Sequence, residues 1–359
     1  MKIEDYGFIG DTQTGALVGR NGSIDWLCFP RFDSAACFAA LLGTRENGRW
    51  LIAPKSGVTS ITRRYRDSTL IIETEFHTET GTVRVIDFMP PRGNDPDVVR
   101  IVEGLEGEVC MHMELFIRFD YGSVVPWVRK RNSHLEAIAG PDGLVLRSAV
   151  PTRGENFHTV AEFTVRRGER VPFVLTWFPS HLDQPAEIDP EAALRDTETY
   201  WRDWAAQSTY QGEWRDEVLR SLITLKGLTY GPTGGIVAAA TTSLPEQLGG
   251  VRNWDYRYCW LRDSTFTLYA FLTAGFREEA AAWHHWLLRA VAGSAERLQI
   301  LYGPAGERRV EELEIPWLPG YENSEPVRIG NAAARQLQMD VYGEVMDTFH
   351  LARATGVPE

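Results

Sequence analysis

Residues 189–207, DPEAALRDTETYWRDWAAQ, mark the point at which the chain changes texture. An Asp-Pro start followed by helix-forming residues, with no apolar/polar alternation, reads as a helix that begins near Asp189. On its N-terminal side the sequence is a series of short apolar, β-branched runs: TLIIETEFH (69–77), TVRVIDFMP (82–90), VVRIVEGLEG (98–107), CMHMELFIRFDY (110–121), GLVLRSAV (143–150), HTVAEFTV (158–165) and VPFVLTWFP (171–179). Gly, Asp and Pro separate them at close spacing, the pattern of antiparallel strands in a β-sandwich. On its C-terminal side strand alternation stops. Residues 213–230, 264–275, 277–293 and 331–356 read as helices, with Gly275 and Gly293 as stops and Asp263 or Ser264 as an N-cap.

The expected fold class is therefore α+β and multidomain, since 359 residues exceed what one core usually serves. The expected divisions are a β-sandwich domain over residues 1–188, a connecting helix over 189–212, and a helical domain over 213–359. In the last helix Leu337, Val341, Val345 and Phe349 form one apolar stripe, while Met339, Tyr342 and Met346 form another. Such a helix is expected to be buried on two sides.

The chain carries a net charge of −12, and no basic stripe with interleaved aromatics appears, so nucleic acid is not an expected partner. No run of about 18 apolar residues occurs and the N-terminus, MKIEDYGFIGD, lacks a secretory apolar core. The reading is a cytoplasmic protein with no membrane partner. Cys28, Cys37, Cys110 and Cys259 have neither metal-finger nor disulfide-framework spacing and are read as reduced. Nucleotide-binding glycine motifs and the serine-hydrolase elbow are missing. His284 and His285 point to different faces of a helix, so no metal is expected there.

Three clusters remain. Residues 249–264, GGVRNWDYRYCWLRDS, gather the rings of Trp254, Tyr256, Tyr258 and Trp260 with Arg252, Arg257, Arg262, Asp255 and Asp263 at a helix entrance. Pyranose rings stack on aromatic faces through their C–H groups, and their hydroxyls are fixed by Arg and Asp. The composition leaves two readings open: a sugar site, or a buried aromatic cluster whose Arg–Asp pairs hold a loop. Residues 321–344, YENSEPVRIGNAAARQLQMDVYGE, place Gln336, Asp340 and Glu344 on one polar helix face at a spacing of four. Residues 21–34, NGSIDWLCFPRFDS, combine a turn, aromatic residues and an Arg–Asp pair. They read either as a loop reaching the second domain or as a hairpin with a surface salt bridge.

Together and in this order, YGFIGDTQTGALVGRNGSIDWLCFPRFDS, WDYRYCWLRDS and PVRIGNAAARQLQMDVYGE resemble glycoside hydrolase family 15, the glucoamylase and trehalase type, in its bacterial and archaeal branch. The resemblance covers essentially the whole chain. It implies an N-terminal β-sandwich followed by an α/α toroid of the six-hairpin type, incomplete here. The implied activity is inverting hydrolysis of trehalose or a glucose-containing oligosaccharide, without metal or organic cofactor. It also implies that Trp260 and Tyr256 line the glucose subsite, while Arg262 and Asp263 hold that sugar's hydroxyls.

Inverting glycosidases use two carboxyl groups about 6.5–9.5 Å apart, one acid and one base. In the family both lie in segments later than any that this chain contains, so no catalytic residue is assigned and the expectation is a truncated chain. The alternative is a non-catalytic sugar-binding or inactive fragment. Glu311, Glu312, Glu314, Asp340 and Glu344 are the carboxylates left in suggestive positions. Oligomeric state stays open between a monomer and a homo-oligomer.

Overall fold

The strand Asp97–Phe116 organises the N-terminal half of the molecule. The computed structural model describes residues 1–131 and 134–356. The sequence reads two runs here, 98–107 and 110–121, but the backbone continues as one strand. Gly104 lets it pass: a Cβ at that position would lie 2.0 Å from the Arg166 carbonyl oxygen. The first part of this strand pairs antiparallel with Gly81–Phe88 and Arg170–Pro179, the second with Arg49–Pro54 and His158–Arg166. Among the described residues the connected sheet has fifteen strands, antiparallel at every pairing.

Alternation along the strands directs Val98, Val102, Met111 and Met113 into one apolar cluster with Trp50, Phe76, Leu144 and Phe173. Both ends of the long strand thus serve the same core. Arg100 and Asp87 are fully buried beside it, paired at 2.7 Å, and the guanidinium also donates to the carbonyls of Trp50 and Gly22. That saturation is what makes a buried charge tolerable. Ile86, Val99 and Val174 form a smaller cluster with Leu194 of helix α1 (Pro190–Ala205). Asp189 caps α1, its Oδ1 accepting from the amides of Glu191 and Ala192.

The chain divides into two units. The first comprises Met1–Asp11, Gly15–Pro30 and Ser34–Trp201; the second comprises Thr12–Thr14, Arg31–Asp33 and the chain from Arg202 onward. In the second unit Arg31 bonds Asp33 and Glu307 and lies over the Tyr230 ring. Beyond α1 its helices are α2 (Arg215–Gly227), α3 (Leu261–Ala274), α4 (Arg277–Ala290) and α5 (Asp340–Ala354). The fold is mixed α+β, with a large antiparallel sheet and, among the described residues, five α-helices.

Helix ends differ from expectation in two places. Trp260, not Asp263 or Ser264, occupies the N-cap of α3, so Asp263 is the third helical residue. Gly275 does close α3 in the left-handed conformation, whereas α4 ends at Ala290 with Val291 as its C-cap, before Gly293. The larger correction concerns residues 331–356. Only Ala332–Arg335 form a short 3-10 turn, Gln336 is extended, and α5 starts at Asp340. The polar face of Gln336, Asp340 and Glu344 therefore does not exist as one helical row. Asn331 explains the break, since its side chain caps the Ala333 amide and donates to the Asp255 carbonyl. Those tertiary bonds override local helix propensity. Nor is α5 buried on two sides: Val341 and Val345 are buried, but Met346 is exposed, and Leu337 and Met339 lie exposed before the helix begins.

Candidate functional site

Residues 249–264 form a loop pinned by its own buried ions. Asp255 and Arg257, both fully buried, make a two-pronged pair at 2.9 and 2.7 Å. Asp255 also accepts from the Arg257 and Gly330 amides, so each carboxylate oxygen is used. Gly330 has φ +70°, and a Cβ there would meet the Glu311 carbonyl oxygen at 1.6 Å. Only glycine lets this backbone approach the carboxylate. Asn253, buried two residues earlier, donates to the carbonyls of Gly250 and Ser324 at 3.0 Å. Arg328 lies over the Trp254 ring at 4.6 Å and bonds the Val251 carbonyl.

These contacts remove several groups from the sugar-binding set that composition suggested. Asp255 and Arg257 are consumed in the knot, Trp254 stacks on Arg328, and Tyr258 is buried, while Arg252, in an exposed pair with Glu246, belongs to the loop's surface. The sequence does not reveal that Arg328, Gly330 and Asn331 clasp this loop. The visible signal was a Gly-Asn pair beside an arginine in an otherwise apolar stretch.

Four groups keep their chemistry available. The Trp260 ring is 9% exposed, and its Nε1–H has no hydrogen-bond partner among the described residues. An unpaired buried donor costs about 1–3 kcal/mol, a cost that a ligand oxygen would relieve. Tyr256 stands beside it, ring centroids 6.0 Å apart and planes tilted by 46°. Burial raises the Tyr256 hydroxyl pKa, with Glu246 and Asp263 adding to the effect. Although Asp263 opens to solvent, the surrounding protein desolvates its carboxyl and lifts it above the ordinary aspartate range, against the pull of Arg262. Arg262 reaches Asp340 of α5 at 3.1 Å, the two side chains 45% and 47% exposed. Such exposed pairs are worth under about 1 kcal/mol, so the guanidinium can turn to a ligand at little cost. Two rings, one cation and one anion thus meet where the backbone amides of a helix N-terminus begin.

The other carboxylates are engaged or remote. Glu312 accepts from the Ala332 amide and pairs with Arg328 at 3.5 Å. Glu314 and Glu311 face Arg328 and Arg335 at 3.6 and 3.9 Å. Glu344 lies half-buried on α5.

Comparison with known proteins gives this geometry a lineage. Residues 1–201 match the trehalase-like N-terminal family, and residues 212–358 match the glycosyl hydrolases family 15. A trehalase of Mycolicibacterium smegmatis is 36% identical over 97% of this chain and 57% of its own length. A trehalase of Thermoplasma volcanium is 32% identical over 99% of the chain and 58% of its length, and trehalase 1 of Sulfolobus acidocaldarius is 34% identical over 98% and 60%. The chain thus spans less than two thirds of these relatives. A bacterial glucoamylase solved with acarbose shares the fold, with a TM-score of 0.59 and 12% identity over 85% of this chain and 52% of that one. The matches define the class as that of the glycosyl hydrolases. Within it, the chain belongs to glycoside hydrolase family 15, in the trehalase-like branch. Among the described residues no helix is long and apolar enough to cross a membrane.

Proposed function

We propose that this chain carries the glucose-holding part of a trehalase-type glycoside hydrolase, with Trp260 and Tyr256 as stacking rings and Arg262 and Asp263 as the groups that fix the sugar hydroxyls. The observation that carries the reading is the buried indole N–H of Trp260, without a hydrogen-bond partner among the described residues, set beside the half-buried Tyr256 ring and an ion pair that costs little to open. A glucose hydroxyl satisfies that donor, and a bidentate Arg contact fixes the ring's rotation. The named relatives are trehalases, which favours trehalose over longer glucans. Hydrolysis by the whole protein would proceed by inversion, with an acid protonating the bridging oxygen and a base activating water.

In this reading residues 1–188 are a β-sandwich, 189–212 a connector and 213–359 part of an α/α toroid. The sharing of one core by both ends of the Asp97–Phe116 strand supports the sandwich.

Calorimetry of the full chain with trehalose, maltose and isomaltose, paired with a glucose-release assay, tests the site. Trehalose should bind, and Trp260→Ala and Asp263→Ala should each weaken it at least about tenfold, the effect of losing about 1.4 kcal/mol of ligand contact. Asp263→Ala, at an exposed position, should melt within a few degrees of the parent. Trp260→Ala empties a buried site and should melt lower, so Trp260→Phe, which keeps a ring and removes the indole N–H, should weaken binding with a smaller loss of stability. Unchanged binding in both Ala variants removes these residues from the site. Binding without glucose release favours a sugar-binding module over an enzyme.

A further inference from the structure

A cavity of about 670 Å³ opens in the first unit, remote in sequence from the loop just described. Its volume falls within the roughly 300–1,000 Å³ range of small-molecule sites. Leu115, Ile117 and Leu135 are buried at its base, and the exposed Val125 and Val128 line it nearer the surface. Phe157 also lines it, with a ring 83% exposed. This ring sits at the tip of a two-residue hairpin, where Asn156 and Phe157 both adopt positive φ, 42° and 61°. Glycine is the usual residue at the second position of such a turn. The backbone of the turn is held by Arg118, which donates to the Phe157 carbonyl at 3.0 Å.

The charges around the cavity are unequal. Arg153 is neutralised by Glu155 at 2.8 Å. Lys130 lines the cavity from the edge strand Trp127–Arg131, directly across from Leu135, and has no carboxylate partner among the described residues. One lone cation therefore overlooks an apolar base.

That pairing selects among ligands. Thr152, Asn156, His158 and Thr159 bring hydrogen-bonding groups to one wall, but the base of Leu115, Ile117 and Leu135 offers a sugar's hydroxyls none to replace their water. An added peptide strand would meet Arg129, Lys130 and Arg131 on the open edge, the kind of charged edge that discourages pairing. An alkyl chain ending in a carboxylate fits both features, burying its tail on the apolar base and its anion against Lys130. We propose that this cavity binds a medium-chain fatty carboxylate or a chemically similar anionic amphiphile.

Isothermal titration of the full chain with decanoate and with 1-decanol, both below their aggregation concentrations, separates tail from head. Decanoate should saturate one site. Lys130→Glu should weaken decanoate at least about tenfold and leave decanol within about twofold. Val128→Asp, on the exposed wall, should weaken both. Melting curves of each variant, and Lys130→Gln as a milder change, confirm that the fold is intact. The proposal is overturned if neither ligand binds, if decanoate ignores the Lys130 substitutions, if Lys130→Glu weakens both ligands equally, or if trehalose displaces decanoate.

Discussion

Asp97 is the residue at which burial and ionisation conflict most openly. It lies at the start of the long strand, largely withdrawn from solvent, with the Thr176 hydroxyl bonded to its carboxylate. Burial pushes its pKa up to about 6, helped by Asp95 and opposed by that hydroxyl bond and by the charges of Arg147 and Arg92. A carboxyl whose folded pKa is raised binds more protons in the native than in the unfolded state. Native stability should then fall as pH climbs from about 4, the unfolded value, to about 6, and stay reduced above that. Asp97→Asn keeps an acceptor for Thr176 and removes the charge. It should raise unfolding free energy by about 1–3 kcal/mol at pH 8 and by little at pH 4. Urea denaturation at the two pH values checks this, and an equal effect at both would show that Asp97 does not titrate in this window.

At the scale of elements, the loop of residues 249–264 depends on a charge pair, Asp255–Arg257, that the sequence leaves open between binding a sugar and holding the loop. Asp255→Ala would leave the buried Arg257 without its carboxylate and would free the Gly330 amide as well. Breaking one side of a buried ion pair costs about 3–5 kcal/mol, so the variant should melt well below the parent and should lose sugar binding with it. Asp263→Ala, by contrast, should lose binding with its melting curve almost unchanged, and that contrast distinguishes the clasp from the contact residues. The difference also marks what the sequence could convey. Strand runs such as VPFVLTWFP and the Asp189 cap were legible because they are local, set by alternation and by a single capping carboxylate. The roles of Asp255 and Arg257 were not, because one Asp–Arg pair reads the same whether it faces solvent or Gly330, a partner 75 residues away. The broken helix before Asp340 was hidden for the same reason: Asn331 is recruited by the distant Asp255 carbonyl.

At the scale of the whole molecule, the second unit presents apolar side chains on packed helices. Phe266 and Tyr269 stand one turn apart on α3, 70% and 58% exposed, and Met346 on the adjoining α5 is 65% exposed. Large exposed apolar residues on neighbouring elements mark association surfaces. The net charge of −12 opposes contact between copies, and that repulsion is screened over about 8 Å at physiological salt. Self-association should therefore strengthen as salt is raised, the reverse of an interface held by ion pairs. Sedimentation velocity over a range of protein concentrations, at low and at high salt, measures it. Phe266→Lys combined with Met346→Lys adds positive charge and so lowers the net repulsion, yet it should hold the chain at one sedimentation coefficient because it removes the apolar contact. Trp127→Lys, at a comparably exposed ring of the first unit, should leave association as it was. If the double variant still associates like the parent while Trp127→Lys does not, the contact surface is the edge strand of the sheet and not the α3–α5 face.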